Sequence, residues 1–530
     1  MLSFRAGTIV AYFYLEAQRD QLFLMPVNMR DWLQEGHLAW FVIDVVAQLD
    51  TAALHARHPN DGVGRPAYDP DMMIALLLYA YANGLRSCRR IEACCRTDAA
   101  YRVICGGLVP DHSTIARFVV DHQDAVHGLF VSGLRLCAAA GLVDLSVVAL
   151  DGTKLAADAA LDANRSAEWI ADQVTALLEA TASSQDAQDA TCQGLLVDPD
   201  AVGGLSGPGG RLGRLLAAQA VIEAQDAEAA ATRATQTEAA MAHAAAGRKV
   251  RGRKPTEPHA ALARAQADHA AALVRADAKQ AERAAKAAAA EAAGVSLPGF
   301  EPGPDRKLQA AEAALVAATA AASAAAPAKR QANVTDPDSR IMKTQQGWLQ
   351  GYNAQAVADR NQIVLAYQVS QDANDVELYE PMVTTLTDTL DAAGIHDLVK
   401  QLLADAGYWS DANAAAPGPD RLIATLKDWK QRRAARDIGT TTGDPPADAS
   451  ALEAMEHRLR TPEGAAAYAQ RSHTIEPVFA NHKENKGHRR FRRRGIDAAR
   501  SEWGLMNLTH NLAKLYEHHN THNIPAPSRA

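Results

Sequence analysis

The spacing of apolar residues near the start of the chain predicts a helical domain. Apolar residues recur there at intervals of three and four, in short segments separated by tight turns. One predicted helix starts at Asp69 and stops at Gly84. A later one opens at "DHSTIARF", where Asp111 or Ser113 would cap the first turn. We therefore predict an all-α N-terminal domain over residues 1–140, a small bundle for which helix-turn-helix geometry is one arrangement.

Two short apolar runs further along the chain are each followed by an aspartate and a turn. Residues 145–150 predict a buried strand that ends at Asp151, and "HDLVKQLLADAG" predicts a strand that ends at Asp405. Between these runs, "GYNAQAVADRNQIVLAYQVS" has the two-residue alternation of a hairpin, with its turn at residues 359–361. Helices are predicted between and after these strands. We expect a mixed sheet flanked by helices, consistent with an α/β core of the ribonuclease-H-like type.

An alanine-rich segment over residues 165–335 interrupts this predicted core. Glu, Gln, Arg and Lys separate the alanines, which is the composition of a strong helix former. Because its small side chains would bury little surface, we expect a largely solvated helical insertion after the first core strand. The core is then divided into residues 141–164, which carry Asp151, and residues 336–520, which end in a basic segment. Residues 521–530 form a tail.

The composition indicates a cytoplasmic protein of several domains. A chain of 530 residues is too long for one core, so we expect about two or three domains. We find no apolar run of membrane-spanning length and no signal-peptide core. The six cysteines form no CxxC pair and are expected to be reduced thiols. The net charge of -8 does not favour nucleic acid by itself, but "HKENKGHRRFRRRG" concentrates positive charge that could bind phosphate.

Asp151, Asp405 and Glu476 are candidate catalytic carboxylates. Because strand ends meet at one edge of an α/β sheet, we expect the two aspartates there, joined by Glu476 from a later helix. Clustered carboxylates raise one another's pKa unless a cation compensates them, and Mg²⁺ or Mn²⁺ prefers such oxygen ligands. Two bound ions would support phosphoryl transfer. The alternatives are that each aspartate stabilises a turn or caps a helix, and that Glu484 takes the place of Glu476.

The sequence around Glu476 also holds candidate phosphate ligands. One predicted helical stretch, "YAQRSHTIEPVFANHK", carries Tyr468, Arg471, Glu476 and Lys483. Pro477 would kink or restart this helix. Glu476 and Lys483 are seven residues, or two helical turns, apart, so we expect them to share a face if the helix runs on from Pro477. Lys483 and Arg471 could then hold DNA phosphates; the alternative is that both are ordinary solvated charges.

Taken together and in order, five stretches of the chain resemble a bacterial insertion-sequence transposase of the DDE class. Residues 64–118 are similar to the N-terminal helical domain of one branch of that class. "ALDGTKLAADA" and "LADAGYWS" resemble its two aspartate motifs, and "DPDSRIMKTQQGWLQGYNAQ" resembles the segment that re-enters the sheet after an insertion. Residues 468–483 resemble its tyrosine-arginine-glutamate-lysine signature. In this chain four residues, rather than the commoner three, separate Arg471 from Glu476.

This resemblance implies a ribonuclease-H-like catalytic domain in which Asp151, Asp405 and Glu476 bind two Mg²⁺ or Mn²⁺ ions. It implies that water cuts the ends of the element and frees a 3′-hydroxyl, which then attacks target DNA by direct transesterification. The implied partners are double-stranded DNA, at the element ends and at the target, and a second copy of the chain. The enzyme would be nucleoid-associated. A metal-dependent nuclease without joining activity and a catalytically inactive DNA-binding relative are the alternatives.

Further DNA contacts are expected in two segments. The basic run would contact phosphates without reading sequence, unless it is only a solvated face. It supplies five candidates: Arg489, Arg490, Arg492, Arg493 and Arg494. "DHSTIARF" could open a recognition helix with Thr114 and Arg117 facing DNA, or it is a capped structural helix.

Overall fold

The part of the chain before the sheet is helical, as the apolar spacing predicts. A computed structural model describes residues 28–57, 67–189, 210–248, 255–293, 305–325, 330–426 and 439–522. Within these ranges the helices before the first strand are α1 (Leu38–Val46), α2 (Ala52–His55), α3 (Pro70–Ala82), α4 (Cys88–Thr97), α5 (Ala99–Ile104), α6 (His112–Asp121) and α7 (Val126–Ala139). Short 3-10 helices, Met29–Trp32 and Gln123–Ala125, precede α1 and α7.

Single side chains set the ends of these helices. Asp69 caps α3 by accepting a hydrogen bond from the backbone nitrogen of Asp71 at 3.0 Å. Gly84, with a φ of +71°, follows the end of α3. The spacing in "SCRRIEACCRTDAAYRVI" predicts one helix, but Asp98 divides it into α4 and α5 because its side chain caps α5. Both predicted boundaries of α3 are therefore correct, and the long helix is two short ones.

The sheet is mixed and has helices around it, as predicted. The strands are β1 (Val148–Ala156), β2 (Asn164–Ser166), β3 (Gln331–Asn333), β4 (Arg340–Thr344), β5 (Gly347–Asp359), β6 (Val364–Ser370), β7 (Gln401–Ala404) and β8 (Asp420–Ile423). Six of these form one sheet of order β4-β5-β1-β7-β8, in which β6 also pairs with β5, while β2 pairs with β3. β1 is antiparallel to β5 and parallel to β7, and β7 is parallel to β8.

The first core strand is longer than the sequence predicts. The apolar run predicts an end at Asp151, but β1 continues to Ala156 because all of its residues pair with β5. Its parallel pairing with β7 is short and stops where Leu150 lies opposite Ala404. Asp151 therefore lies within a strand, at the level where β7 ends. The prediction for Asp405 is correct, since this residue directly follows β7.

The predicted hairpin is formed by β5 and β6. Asp359 at its turn accepts hydrogen bonds from the backbone nitrogens of Asn361 at 3.0 Å and Ile363 at 2.8 Å. Gln362 has a positive φ of 65°. Burial raises the pKa of Asp359 to about 7. The turn therefore falls in the segment that the sequence predicts.

The alanine-rich segment forms long helices with small contact surfaces. They are α8 (Ala167–Asp189), α9 (Arg211–Ala245), α10 (Pro258–Ala292) and α11 (Arg306–Ser323). A separate apolar cluster, which includes Ile170, Leu215 and Ile222, joins α8 and α9 to β3. Alanines alone form the buried contact between α9 and α10. The helical insertion after β1 is thus present, and its packing is as sparse as its composition predicts.

The last helix packs between the sheet and the N-terminal helices. The helices after the hairpin are α12 (Tyr379–Ala392), α13 (Asp411–Ala415), α14 (Ala451–Arg460), α15 (Pro462–Ala469), α16 (Arg471–Thr474), α17 (Glu476–Ala480) and α18 (Ile496–His522). α18 packs against α3, α7 and β6, and the buried Trp503 donates from Nε1 to the carbonyl of Gln355 at 3.0 Å. Among the described residues, none of the helices has the length and apolar character of a membrane span. The five described cysteines are free thiols.

Candidate active site

The pairing of β1 with β7 brings two of the predicted carboxylates together. Leu150 lies opposite Ala404 in the last pair, so Asp151 and Asp405 are the next residues on neighbouring strands. Asp405 Oδ1 accepts a hydrogen bond from the backbone nitrogen of Gly407 at 2.8 Å. One oxygen of Asp405 therefore stabilises the turn, as the turn alternative expects. No hydrogen bond within the described residues engages its other oxygen.

Asp151 is held on both of its carboxylate oxygens. Oδ1 accepts a hydrogen bond from the backbone nitrogen of Gly152 at 2.8 Å, and Oδ2 lies 2.6 Å from Nη2 of Arg471. The side chain is only 17% exposed. Burial raises the pKa of Asp151 to about 6, with Arg471 opposing the rise and the charge of Asp405 adding to it. Asp151 is therefore more easily protonated than an ordinary aspartate, and a further cation bound beside it would favour its charged form.

The predicted helical stretch around Glu476 is broken into short pieces. α16 ends at Thr474, α17 begins at Glu476 with Pro477 in its first turn, and a π-helical turn, Asn481–Asn485, follows. Pro477 has no backbone N–H to donate to the preceding turn, so the restart that it predicts is correct. The helix does run on from Pro477, although its continuation is π-helical, and the expectation that Glu476 and Lys483 share a face stays a prediction.

Arg471 links the carboxylates instead of standing free. Its Nη2 contacts Asp151, and its Nη1 lies 3.4 Å from Oε1 of Glu476. The Arg471 side chain is 13% exposed, whereas that of Glu476 is 57% exposed. The guanidinium therefore spans two of the three predicted metal ligands. The DNA-binding role of Arg471 stays a prediction, but its contacts within the chain are with the acids.

Two further predicted residues contact the strands that carry the aspartates. Lys483 donates from Nζ to Oγ1 of Thr153, which is two residues after Asp151 and on the same face of β1. Burial, followed by the nearby charge of Arg489, lowers the pKa of Lys483. Tyr468 donates from its hydroxyl to the carbonyl of Ala404 at 3.2 Å, directly before Asp405. The signature residues therefore converge on the point where the β1–β7 pairing ends and Asp151 and Asp405 lie side by side. This end of the two strands is the β1–β7 edge.

A fourth carboxylate, which the sequence analysis missed, lies beside the same edge. Asp375 follows β6, and its Oδ1 accepts hydrogen bonds from Nδ2 of Asn353 at 2.7 Å and Nε2 of Gln355 at 3.1 Å. Its Oδ2 and Oδ1 of Asp405 each lie 2.9 Å from the point where a Cβ on Gly407 would stand. Asp375 belongs to a polar stretch, "SQDANDVEL", with other acids. No local sequence pattern distinguishes Asp375 from these acids, and only the fold shows that it lies beside Asp405.

The donor set at this edge fits a hard divalent cation. Among the described residues, four carboxylates lie at this edge beside two cationic side chains, Arg471 and Lys483, so negative charge is in excess. Oxygen-only ligands are those that Mg²⁺ and Mn²⁺ prefer. The raised pKa of Asp151 has the same origin, because burial and neighbouring carboxylates both disfavour its charged form.

A more tightly spaced set of possible ligands lies elsewhere. Among the described residues, His55, Asp69 and Asp71 bring their ligand atoms within 4.8 Å of one another. The cap that Asp69 forms on α3 and the 3.0 Å contact between His55 and Asp71 account for that arrangement. The predicted triad is more open because the Arg471 side chain lies between Asp151 and Glu476.

The basic run lies against β1 and is partly buried. The backbone nitrogen of Ala156 donates to the carbonyl of Arg489 at 3.3 Å, and that of Phe491 donates to the carbonyl of Ala156 at 2.8 Å. The Phe491 side chain is fully buried and packs edge-on against Tyr352, with ring centroids 5.8 Å apart. Phe491 is therefore part of the core and does not accompany the arginines on the surface.

The five arginines of the run differ in exposure. Arg490 and Arg492 are exposed, and so are Arg489 and Arg494, which pair with Glu484 and with Asp158. Arg493 is the exception: it points inward and donates to Oε1 of Gln123 at 2.8 Å, and burial lowers its pKa. Four of the five predicted phosphate contacts therefore face solvent, and the position of Arg493 is that of a structural residue.

The predicted recognition helix, α6, is capped by Asp111. Its Oδ1 accepts from the backbone nitrogens of Ser113 and Thr114 at 2.9 Å each, and its Oδ2 accepts from the Thr114 hydroxyl at 2.7 Å. Of the two cap candidates, Asp111 is therefore the cap. Thr114 is part of that cap, whereas Arg117 is exposed on the helix surface.

The fold and the site together indicate a class of protein. A mixed α/β sheet carries a cluster of carboxylates at a strand edge, and exposed arginines lie beside it, which suits an enzyme that acts on nucleic acid.

Two family models match the chain. One, described as "Transposase domain (DUF772)", matches residues 27–121, and the other, described as "Transposase DDE domain", matches residues 430–516. Together they support an insertion-sequence transposase of the DDE class, a nucleic-acid-acting enzyme of a family that binds DNA and typically uses divalent metal ions. The resemblance of the sequence to an insertion-sequence transposase of the DDE class is confirmed. No curated protein and no solved structure matches the chain.

The two matches cover different parts of the site. The first spans the helices α1 to α6, and the second includes Glu476, Lys483 and the basic run. Asp151, Asp405 and Asp375 lie outside both matches. The roles of these three aspartates therefore rest on geometry.

Proposed function

We propose that this chain binds the ends of its insertion sequence, cleaves them and joins them to target DNA. The observation that supports this most is the adjacency of Asp151 and Asp405 across the β1–β7 pair, with Arg471 linking Asp151 to Glu476. Three separate segments thus contribute carboxylates to one edge of the sheet. Isolated turn or cap residues would not need to converge in this way.

We propose a catalytic core of the ribonuclease-H-like type. The order β6-β5-β1-β7-β8 supports it, since β5 is antiparallel to β1 and to β6 while β7 and β8 are parallel to β1. The core would comprise residues 141–164 and 336–520. A helical DNA-binding domain would occupy residues 1–140, the alanine-rich insertion residues 165–335, and the tail residues 521–530.

Asp151, Asp405 and Glu476 would hold the divalent cations, two Mg²⁺ or Mn²⁺ ions. Ions bound there supply Lewis-acid activation of an attacking oxygen and stabilise the charge on the leaving oxygen. Arg471 orients Asp151 by its 2.6 Å contact and keeps the segment of Glu476 beside β1. Lys483, held on Thr153, places a positive charge on the face of β1 that carries Asp151.

The proposed reaction has two steps on DNA. Water attacks the phosphodiester at the element end and a 3′-hydroxyl leaves; that hydroxyl then attacks a target phosphodiester, so one P–O bond forms as another breaks. No protein nucleophile is required. The environment of the nearby tyrosines supports this, because Tyr408 donates its hydroxyl to Gln355 and burial raises its pKa far above the usual range. The Tyr468 hydroxyl also donates to the protein.

The DNA would run along the exposed charges beside this edge. They are Arg489, Arg490, Arg492 and Arg494, with Arg117, next to Thr114, on α6. The partly buried Lys483, Tyr468 and Arg471 would contact DNA at the acids. Such contacts position the backbone of DNA and are weakened by salt. Since two element ends must be joined, we propose that two copies of the chain assemble on DNA, which the mass of the protein–DNA complex would test.

The test uses the full chain and a labelled DNA end taken from its flanking genomic sequence. The reaction is compared in Mg²⁺ and in EDTA, for the wild type and for Asp405→Asn. Asp411→Asn is the matched control, because this exposed aspartate begins α13 only six residues away. We expect metal-dependent cleavage and joining in the wild type and the control, and neither in Asp405→Asn.

Other products distinguish the remaining functions. Cleavage without joined product, under conditions that supply target DNA, would favour a metal-dependent nuclease. Tight DNA binding without metal-dependent cleavage by a folded protein would favour an inactive DNA-binding relative. Unchanged cleavage in Asp405→Asn would refute the proposed site.

A further inference from the structure

The side chain of Asp375 is anchored on one oxygen only. Oδ1 accepts from the amides of Asn353 and Gln355, and the Gln355 amide nitrogen also donates to Oδ1 of Asn353 at 3.1 Å. Gln355 is itself fixed, because its Oε1 accepts from the hydroxyl of the fully buried Tyr408. Within the described residues, no cationic side chain forms an ion pair with Asp375. A chain of buried polar groups thus fixes the direction of this carboxylate.

The second oxygen of Asp375 faces the acidic edge. Asp375 Oδ2 and Asp405 Oδ1 each lie 2.9 Å from the Cβ position of Gly407, so these oxygens are separated by no more than twice that distance. Asp375 Oδ1 lies 2.9 Å from the Cβ position of Gly152, the residue after Asp151. Glycine at position 407 therefore leaves the space between Asp375 and Asp405 free of a side chain, while Gly152 leaves room for Asp375 and the two amides that hold it.

A purely structural role explains this arrangement poorly. Asp375 is the N-cap residue of a 3-10 helix, Val376–Leu378, but its side chain makes no cap hydrogen bond there. Burial, and then the charges of Asp375, Asp151 and Asp405, raise the pKa of Tyr408. Like charges held this close repel each other, so their approach costs stability unless a cation is shared.

We propose that Asp375 is a fourth carboxylate of the cation site, acting through Oδ2 together with Asp405. This inference rests on the proposed function, since it assigns a further residue to the same site. Asn353, Gln355 and Tyr408 are then positioning residues that aim Asp375. The charge balance supports the assignment: four carboxylates against Arg471 and Lys483 leave an excess that divalent cations neutralise.

The test measures Mn²⁺ binding by the full chain without DNA, by electron paramagnetic resonance or calorimetry. Asp375→Asn keeps an oxygen for the two amides and removes the charge that faces Asp405. Glu377→Gln is the matched control, because it removes an exposed charge two residues away. We expect Asp375→Asn to bind Mn²⁺ about ten- to a hundred-fold more weakly, and Glu377→Gln to bind it as the wild type does.

A second measurement distinguishes a cation ligand from a residue that only supports the fold. In EDTA, the melting temperature of Asp375→Asn should equal or exceed that of the wild type, because repulsion with Asp405 is relieved. A lower melting temperature in EDTA would show that Asp375 supports the fold, and unchanged Mn²⁺ affinity would show that it is not a ligand; either result overturns the proposal.

The outcomes also separate this proposal from the proposed function. If Asp405→Asn loses DNA cleavage and Mn²⁺ binding while Asp375→Asn keeps both, the transposase site stands and the fourth ligand does not. If the wild type binds no Mn²⁺ and cleaves no DNA, the cation site itself is refuted, and the role of Asp375 with it.

Discussion

Two regions of the described chain compensate the charge of their carboxylates in different ways. One is Glu502 on α18, which is fully buried between the sheet and the N-terminal helices. Its Oε1 lies 2.6 Å from Nη1 of Arg86, and its Oε2 accepts from the backbone nitrogens of Arg492 at 2.8 Å and Arg493 at 3.3 Å. Both oxygens are satisfied and Arg86 supplies a paired charge, although burial still raises the pKa of Glu502.

The other region is the β1–β7 edge, where the balance is incomplete. Asp151 shares Arg471 with Glu476, while Asp405 and Asp375 have no ion pair among the described residues. The two regions differ in what their acids do. Glu502 joins two parts of the fold, since its partner Arg86 follows α3 and also donates to the carbonyl of Arg490 at 2.8 Å. The acids at the β1–β7 edge carry negative charge in excess of the nearby cationic side chains, and a bound cation would neutralise it.

The largest expected effect is on catalysis. Asp151→Asn should reduce DNA cleavage in Mg²⁺ by at least about a thousand-fold, because the charge that holds the cation is lost. Its melting temperature in EDTA should equal or exceed that of the wild type, since a buried acid in an acidic cluster is neutralised. Asp162→Asn, an exposed aspartate on the same segment, is the control. A variant that loses stability in proportion to activity would contradict the contrast with Glu502.

The reverse pattern is expected for the buried pair. Glu502→Gln should destabilise the protein by about 3–5 kcal/mol, because Arg86 would keep a buried charge without a partner. Thermal unfolding measures the loss. Adding Arg86→Met to Glu502→Gln should restore part of it, since glutamine still accepts from the backbone of Arg492 and no charge stays buried. No recovery in the double variant would mean that the pair is not the cause.

A smaller effect is expected from the glycine between the aspartates. In Gly407→Ala, the new Cβ would stand 2.9 Å from Asp405 Oδ1 and from Asp375 Oδ2, closer than such contacts allow. We expect Mn²⁺ affinity to fall about tenfold, with a modest loss of stability. Gly128→Ala is the control, because a Cβ there meets nothing within 4 Å and the residue lies in α7. Equal Mn²⁺ affinity in both variants would show that the aspartates do not act together.

The sequence predicts local features of this molecule well. The caps at Asp69 and Asp111, the hairpin turn at Asp359 and the end of β7 before Asp405 all follow from propensity and apolar spacing. Each depends on residues that are close in the chain. The same local pattern predicts that β1 ends at Asp151, which is wrong, because pairing with β5, about two hundred residues further along the chain, extends the strand to Ala156.

Features that depend on distant contacts were not predictable in this way. The position of Asp375 depends on its hydrogen bonds to amides on β5. The position of Arg471 depends on its contact with Asp151, which lies on a distant strand. The burial of Phe491 within a basic run depends on Tyr352. The order of the motifs indicated the site, but the charge balance that gives each residue its role appears only once the strands are paired.

The smallest expected effect is on the pH dependence of stability. In EDTA, the folded-state pKa of Asp151 is raised to about 6, mainly by burial, above its ordinary value of 3.8. Between these values the folded state binds more protons at Asp151 than the unfolded state does, so its contribution to stability falls as pH rises through the window. The melting temperature of Asp151→Asn minus that of the wild type should therefore increase from pH 4 to pH 6.5 and then level off. A difference that does not change with pH would mean that Arg471 fully compensates Asp151, in which case the β1–β7 edge has no unbalanced charge and the contrast between the two regions fails.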